Sequence, residues 1–195
     1  MSTLNYKRGY GDIDPYWYGL IQGHDRKFIR CSAGLIMPIL DRALGAVVVV
    51  AELYRISPVD LWIIAVESGD WRHVRNSLAQ YRRDLKFSQL ITDKEEARPL
   101  IRRMPDVYQG QNEIPIYTDL APSYAMTEVG RLTTDEMFEE GRLHVDEDNI
   151  GRIDEDPARL ALQGVVCWMR DYPMIYKPAE SSPQSIGKIL GVEGL

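Results

Sequence analysis

Between Gly34 and Trp71 the chain is almost continuously apolar, GLIMPILDRALGAVVVVAELYRISPVDLWIIAVESGDW, with one polar joint at Ile56-Ser57-Pro58. Ile39, Leu40, Ala43, Leu44, Val47, Val48, Ala51 and Tyr54 recur at three-four spacing and leave Asp41, Arg42, Glu52 and Arg55 outward, which predicts a helix over about 38–55. The β-branched run Val47–Val50 admits a short buried strand instead, but the length of the periodic stretch favours a helix. Ser57, Pro58 and Asp60 supply a cap, a first-position proline and a dipole-favoured acid for a second helix to about Ser68. Gly69 stops it, and Asp70 caps a third helix over about 71–90. That helix carries Val74, Leu78, Tyr81, Leu85 and Leu90 on one face and Arg72, Arg75, Arg82, Arg83 and Lys86 on the other.

Beyond it, Thr92 and Glu95 have the spacing of a capping box for a fourth helix ending near Met104-Pro105. Proline and glycine punctuate 105–132, which reads as a long irregular loop with one edge strand around Ile114, Ile116 and Tyr117. Thr134 caps a short acidic helix, Asp135 to Leu143, and 144–155 is rich in turn formers. Asp156-Pro157 opens a last helix whose Leu160, Leu162, Val165, Val166, Trp168 and Met169 make it apolar around much of its circumference. The pattern predicts a mainly α fold: one compact body of about five helices with extended N- and C-terminal arms. Residues 1–30 form a Gly-rich aromatic arm, 31–171 the helical domain (with the loop 105–132 and an acidic segment 135–156), and 172–195 an extended tail.

Composition changes this picture little. Apolar residues make up 45% and charged residues 27%, as in ordinary globular proteins. A net charge of −6 argues against a dominant nucleic-acid or anionic-membrane role, so nucleic acid is allowed but not favoured. The longest apolar run, Ala43 to Leu53, falls short of the roughly 20 residues a membrane span needs, and the N-terminus lacks a secretory apolar core. An intracellular, cytoplasmic location (or the interior of a virus particle) follows, with no membrane association. Cys31 and Cys167, both in apolar settings, read as buried inert thiols.

Candidate chemistry is sparse. Glu67, Asp70 and His73 lie three residues apart across Gly69, a set able to hold a divalent metal or to do acid–base work. Capping by Asp70 and solvation of the other two explain the trio without chemistry, so no catalytic residue, metal site or cofactor is assigned. His24-Asp25 lacks an accompanying nucleophile, and His144 reads as a surface residue beside an acidic run. Asp146 to Pro157 fits a calcium loop at its first, third and sixth positions but has Ile150 at the fifth and Pro157 at the twelfth, where oxygen ligands are required. The phosphate-binding and dinucleotide-binding glycine patterns are absent.

Charge is segregated: 71–104 is basic and 135–156 acidic, which suits head-to-tail contact between subunits. Tyr10, Tyr16, Trp17, Tyr18, Tyr172 and Tyr176 on the arms, with Arg72, Arg75, Arg82 and Arg83, are the candidate partner-binding residues. The leading expectation is a non-enzymatic assembly or adaptor protein, a homo-oligomeric or larger-complex subunit of ring or connector type such as a virus-particle connector. The alternative is a small metal- or acid–base-dependent enzyme centred on Glu67, Asp70 and His73. A weaker alternative is a regulator or inhibitor that binds a protein through its acidic face.

Overall fold

The computed structural model describes residues 28–38, 44–53, 60–85, 87, 89–103, 116–145 and 147–173. These build a mixed six-stranded sheet with helices on both faces, so the expectation of a mainly helical body is corrected to α/β. Strands β1 (Phe28–Ile36), β2 (Gly45–Leu53) and β3 (Asp60–Gly69) form an antiparallel meander. Strands β4 (Gln89–Thr92) and β5 (Tyr117–Leu120) extend the sheet beyond β1 in parallel, and β6 (Leu143–His144) pairs in parallel with β3. The spatial order is β5-β4-β1-β2-β3-β6.

The stretch expected to form two helices is β2 and β3. Its apolar positions satisfy three-four spacing because almost every position is apolar, and a continuous run satisfies any period. What decides is the β-branched block Val47–Val50 together with burial on both faces, the condition of a central strand under two helical layers. Val47, Val49 and Ala51 point to one layer and Ala46, Val48 and Val50 to the other, all 0% exposed. A shift of register between Val49 and Val50 puts consecutive residues Ile64 and Ala65 of β3 in the same layer.

Helices α1 (Trp71–Leu85) and α2 (Ala97–Arg102) cover the first face, burying Val74, Leu78, Tyr81, Leu85 and Ile101 against Leu35, Val49 and Leu90. The expected third helix is thus found, but it ends at Leu85, and Leu90 belongs to β4. The fourth helix exists as α2, starting at Ala97, so Thr92 is a strand residue and no capping-box partner.

The second face is covered by α3 (Glu128–Glu139), α4 (Glu147–Ile153) and α5 (Ala158–Asp171). Much of the expected loop 105–132 is ordered structure: β5, a 3-10 turn at Ser123–Met126 and the start of α3. Helix α3 is capped by Thr127, whose hydroxyl accepts from Val129 N at 3.3 Å, not by Thr134, whose hydroxyl donates to the Gly130 carbonyl inside the helix. The turn-rich reading of 144–155 gives way to β6 and α4, and the last helix follows Pro157 as expected.

Helix α5 lies directly on β1. A Cβ built on Gly34 would overlap the Ala161 carbonyl oxygen and sit 3.1 Å from Val165 Cβ, so only glycine admits the helix at this distance. Strands β1, β3, β4 and β5 all run the same way, so their carboxyl ends share one edge of the sheet, and the site lies there.

Candidate active site

Glu67 is the third residue from the end of β3, on the α1 side of the sheet. Gly69 and Asp70 then turn the chain into α1. Asp70 fixes the turn: its Oδ1 accepts from His73 N at 2.9 Å and its carbonyl from Val74 N at 3.0 Å. Gly69 lets the His73 ring fold back toward the strand, because a Cβ there would meet His73 Cδ2 at 3.0 Å. His73 Nε2 consequently lies 3.1 Å from Glu67 Oε2.

The other oxygen of Glu67 is held by two donors that the sequence did not single out. The Tyr81 hydroxyl, about two turns beyond His73 along α1, donates to Oε1 at 3.1 Å, and Arg152 Nη1 donates to it at 3.4 Å. Burial, and then the Glu67 carboxylate, push the Tyr81 hydroxyl well above the usual tyrosine range, so it remains a neutral donor. The His73 side chain is 52% exposed and that of Glu67 28% exposed, so the pair opens to solvent while its anchor is buried. His73 Nδ1 has no partner among the described residues.

The predicted trio therefore divides. Glu67 and His73 pair, and Asp70 is spent on the helix cap. Among the described residues, no three His, Cys, Asp or Glu side chains converge to hold a metal ion. A carboxylate that orients an imidazole whose second nitrogen faces solvent is suited to general-base work.

On the helical layer that carries His73, Arg72, Arg75 and Arg83 of α1 and Arg102 and Arg103 at the end of α2 are exposed and enter no ion pair among the described residues. Arg82 is not part of this surface. It is 3% exposed, lies over the Phe87 ring at 5.8 Å and partly offsets the burial that pushes the Cys31 thiol up to about 12. The opposite layer presents Glu136, Glu139, Glu140, Asp148, Asp154, Glu155 and Asp156 to solvent.

Of the other candidates, His144 is half-buried in β6 and stacked on Trp62 with ring centroids 4.2 Å apart, not a surface residue. Residues 147–153 of the supposed calcium loop are helix α4. Tyr172 is 60% exposed, with its ring against Trp168. Tyr10, Tyr16, Trp17, Tyr18, His24, Asp25, Lys86, Asp146 and Tyr176 lie outside the described residues. Both cysteines are free, and burial raises Cys167 to about 11. Among the described residues no helix is long and apolar enough to cross a membrane.

No protein-family model matches the chain, and no curated protein matches it. Among solved structures it is similar to the fowlpox virus Holliday junction resolvase, with 11% identity and a TM-score of 0.40 over 73% of this chain and 99% of that one. It is also similar to the human cytomegalovirus terminase nuclease domain, with 15% identity and a TM-score of 0.37 over 82% of this chain and 78% of that one. Likeness of this degree carries no activity from one chain to another. The six-stranded sheet itself removes the helical body on which the connector reading rested. The non-enzymatic assembly or adaptor expectation is therefore set aside, and the enzyme alternative built on Glu67 and His73 is retained.

Proposed function

We propose that this protein is an acid–base enzyme acting on a phosphodiester polymer, with His73 as general base and Glu67 as the carboxylate that orients it. The reading rests on one observation above all, the 3.1 Å contact between Glu67 Oε2 and His73 Nε2 at an exposed edge of the sheet. In this role Nδ1 takes a proton from a water molecule as its oxygen attacks phosphorus, the bond to the leaving oxygen breaks, and Glu67 stabilises the imidazolium. Asp70 and Tyr81 keep the two side chains in place.

The substrate class follows from charge. The arginines of α1 and α2 face solvent on the same side of the sheet as His73, while the opposite layer is acidic, so a polyanion is steered to the α1 side despite the net charge of −6. The test is cleavage of labelled single- and double-stranded oligonucleotides, with and without added divalent cations. His73→Ala should lower the rate by about 10²–10⁴-fold, the usual contribution of a positioned general base. Glu67→Gln should lower it less and shift the pH profile. Cleavage at an unchanged rate in His73→Ala overturns the reading. Binding should weaken with salt, and Arg72→Gln with Arg75→Gln should make the dependence shallower by about one power of salt per lost phosphate contact.

A further inference from the structure

We infer that Arg152 is a phosphate-binding arm of this site, reaching it from the opposite helical layer. The inference adds a ligand contact to the reading above and rests on it only for what the bound phosphate is for.

On the layer formed by α3, α4 and α5, three arginines are engaged with local carboxylates. Arg131 pairs with Glu128 and Asp135, Arg142 with Glu140 at 2.9 Å, and Arg159 with Asp135. Arg152, in the last turn of α4, departs from this pattern. Its Nη1 crosses the end of β3 to the Val66 carbonyl at 3.3 Å and to Glu67 Oε1 at 3.4 Å. Both contacts are long, and both use the same nitrogen. They hold the guanidinium in place without using up its donors, and Nε and Nη2 have no partner among the described residues. The side chain is 58% exposed, so those two donors are open to a ligand.

Two parallel N–H donors on a planar fork match two oxygens of one phosphate. The position suits that use. Arg152 is anchored on one oxygen of the Glu67 carboxylate and His73 on the other, so guanidinium and imidazole flank the same group. Glu67 neutralises one of the two cations when His73 is protonated, and a bound phosphate would offset the second.

The probe is inorganic phosphate, titrated while the ring resonances of His73 are followed by NMR in the wild-type protein and in Arg152→Gln, Arg152→Lys and Arg170→Gln. Arg152→Gln should weaken phosphate binding about tenfold and Arg152→Lys by a smaller factor, because lysine keeps the charge and loses the fork. Arg170→Gln, which alters an exposed arginine of α5 beside Tyr124, should leave it unchanged. Should circular dichroism show Arg152→Gln to be unfolded, Arg152→Lys decides. Wild-type affinity in Arg152→Lys, equal weakening in Arg170→Gln, or no shift of His73 at tens of millimolar phosphate each overturns the inference. A second titration with a short oligonucleotide identifies the source. Parallel weakening assigns the arm to a backbone phosphate, and weakening with inorganic phosphate alone assigns it to a free phosphate. Neither titration requires turnover, so loss of the acid–base reading through His73→Ala leaves this result standing, and the reverse also holds.

Discussion

Substituting Gly34 with alanine tests the packing that organises the whole molecule. One methyl group is added at a point where β1 and α5 touch backbone to backbone. Its carbon would overlap the Ala161 carbonyl oxygen, lie 3.0 Å from the carbonyl carbon and 3.1 Å from Val165 Cβ. Neither a peptide carbonyl nor a β-carbon can rotate away, so α5 must move off the sheet, along with Leu162, Val165 and Val166, all buried at 0% exposure. Overpacking of this kind costs about 1–3 kcal/mol, and the backbone obstacle puts Gly34→Ala at the upper end. For a chain of this size about 3 kcal/mol lowers Tm by about 6–12 °C.

Gly164→Ala is the control. It lies in α5 itself, and its added Cβ would meet only the flexible tip of Met126 at 3.0 Å and Ala121 Cβ at 3.4 Å. Removing a helix-interior glycine offsets that contact by up to about 1 kcal/mol, so the net change should be near zero. Paired urea and thermal melts read both variants. Trimming Ala161 to glycine should fail to rescue Gly34→Ala, because the obstacle is the peptide oxygen. A Tm for Gly34→Ala within a degree of wild type would refute the placement of α5 on β1.

Three further outcomes are expected. Burial raises Cys31 from 9.0 to about 12 and Cys167 from 9.0 to about 11, so unfolded thiols ionise near pH 9 while the folded ones keep their protons. Stability should be complete below that pH and then fall by up to about 1.4 kcal/mol per pH unit per thiol, as urea midpoints will show; Cys31→Ala with Cys167→Ala should flatten the curve. Thr127→Ala removes the hydroxyl that caps α3 and should cost about 1 kcal/mol in the same assay, whereas Thr127→Ser should cost little. Tyr81→Phe removes a donor to Glu67 from a buried hydroxyl and should shift the pH profile of any cleavage activity, with the fold retained by circular dichroism; an unchanged profile would show that Tyr81 does not hold the carboxylate.

The sequence was legible where one face of an element is wet. Helix α1 alternates Val74, Leu78 and Leu85 with Arg72, Arg75 and Arg83, and its period survives inspection. Helix α5 was found from its opening proline and its length. The central strands were not legible, because a strand covered on both faces has no polar phase, and Ala46 to Ala51 fits a helix and a strand equally well. Local capping chemistry then reinforced the error: Ser57 and Pro58 resemble a helix start, and Asp60 begins β3. Thr134 illustrates the same ambiguity, since a threonine hydroxyl bonds a carbonyl four residues back as readily as it caps a helix.

The site fared differently, for a physical reason. Glu67 and His73 are six residues apart, and a strand ending at Gly69 joins them as a broken helix could not. Strand, glycine and capping aspartate together reverse the chain, so that His73 in the first turn of α1 lies against the last residues of β3. The absence of a Cβ at Gly69 lets the imidazole lie back across that reversal. The glycine expected to stop a helix between Glu67 and His73 is what permits the pair between a strand and a helix. Tyr81 left a fainter trace, as a hydroxyl on an otherwise apolar face that must find a buried partner. Arg152 left none: it stands 85 residues from Glu67, and only closure of the sheet by the second helical layer brings its guanidinium over the end of β3. Local turn chemistry therefore accounts for the Glu67–His73 pair, and the tertiary fold accounts for the third contact on its carboxylate.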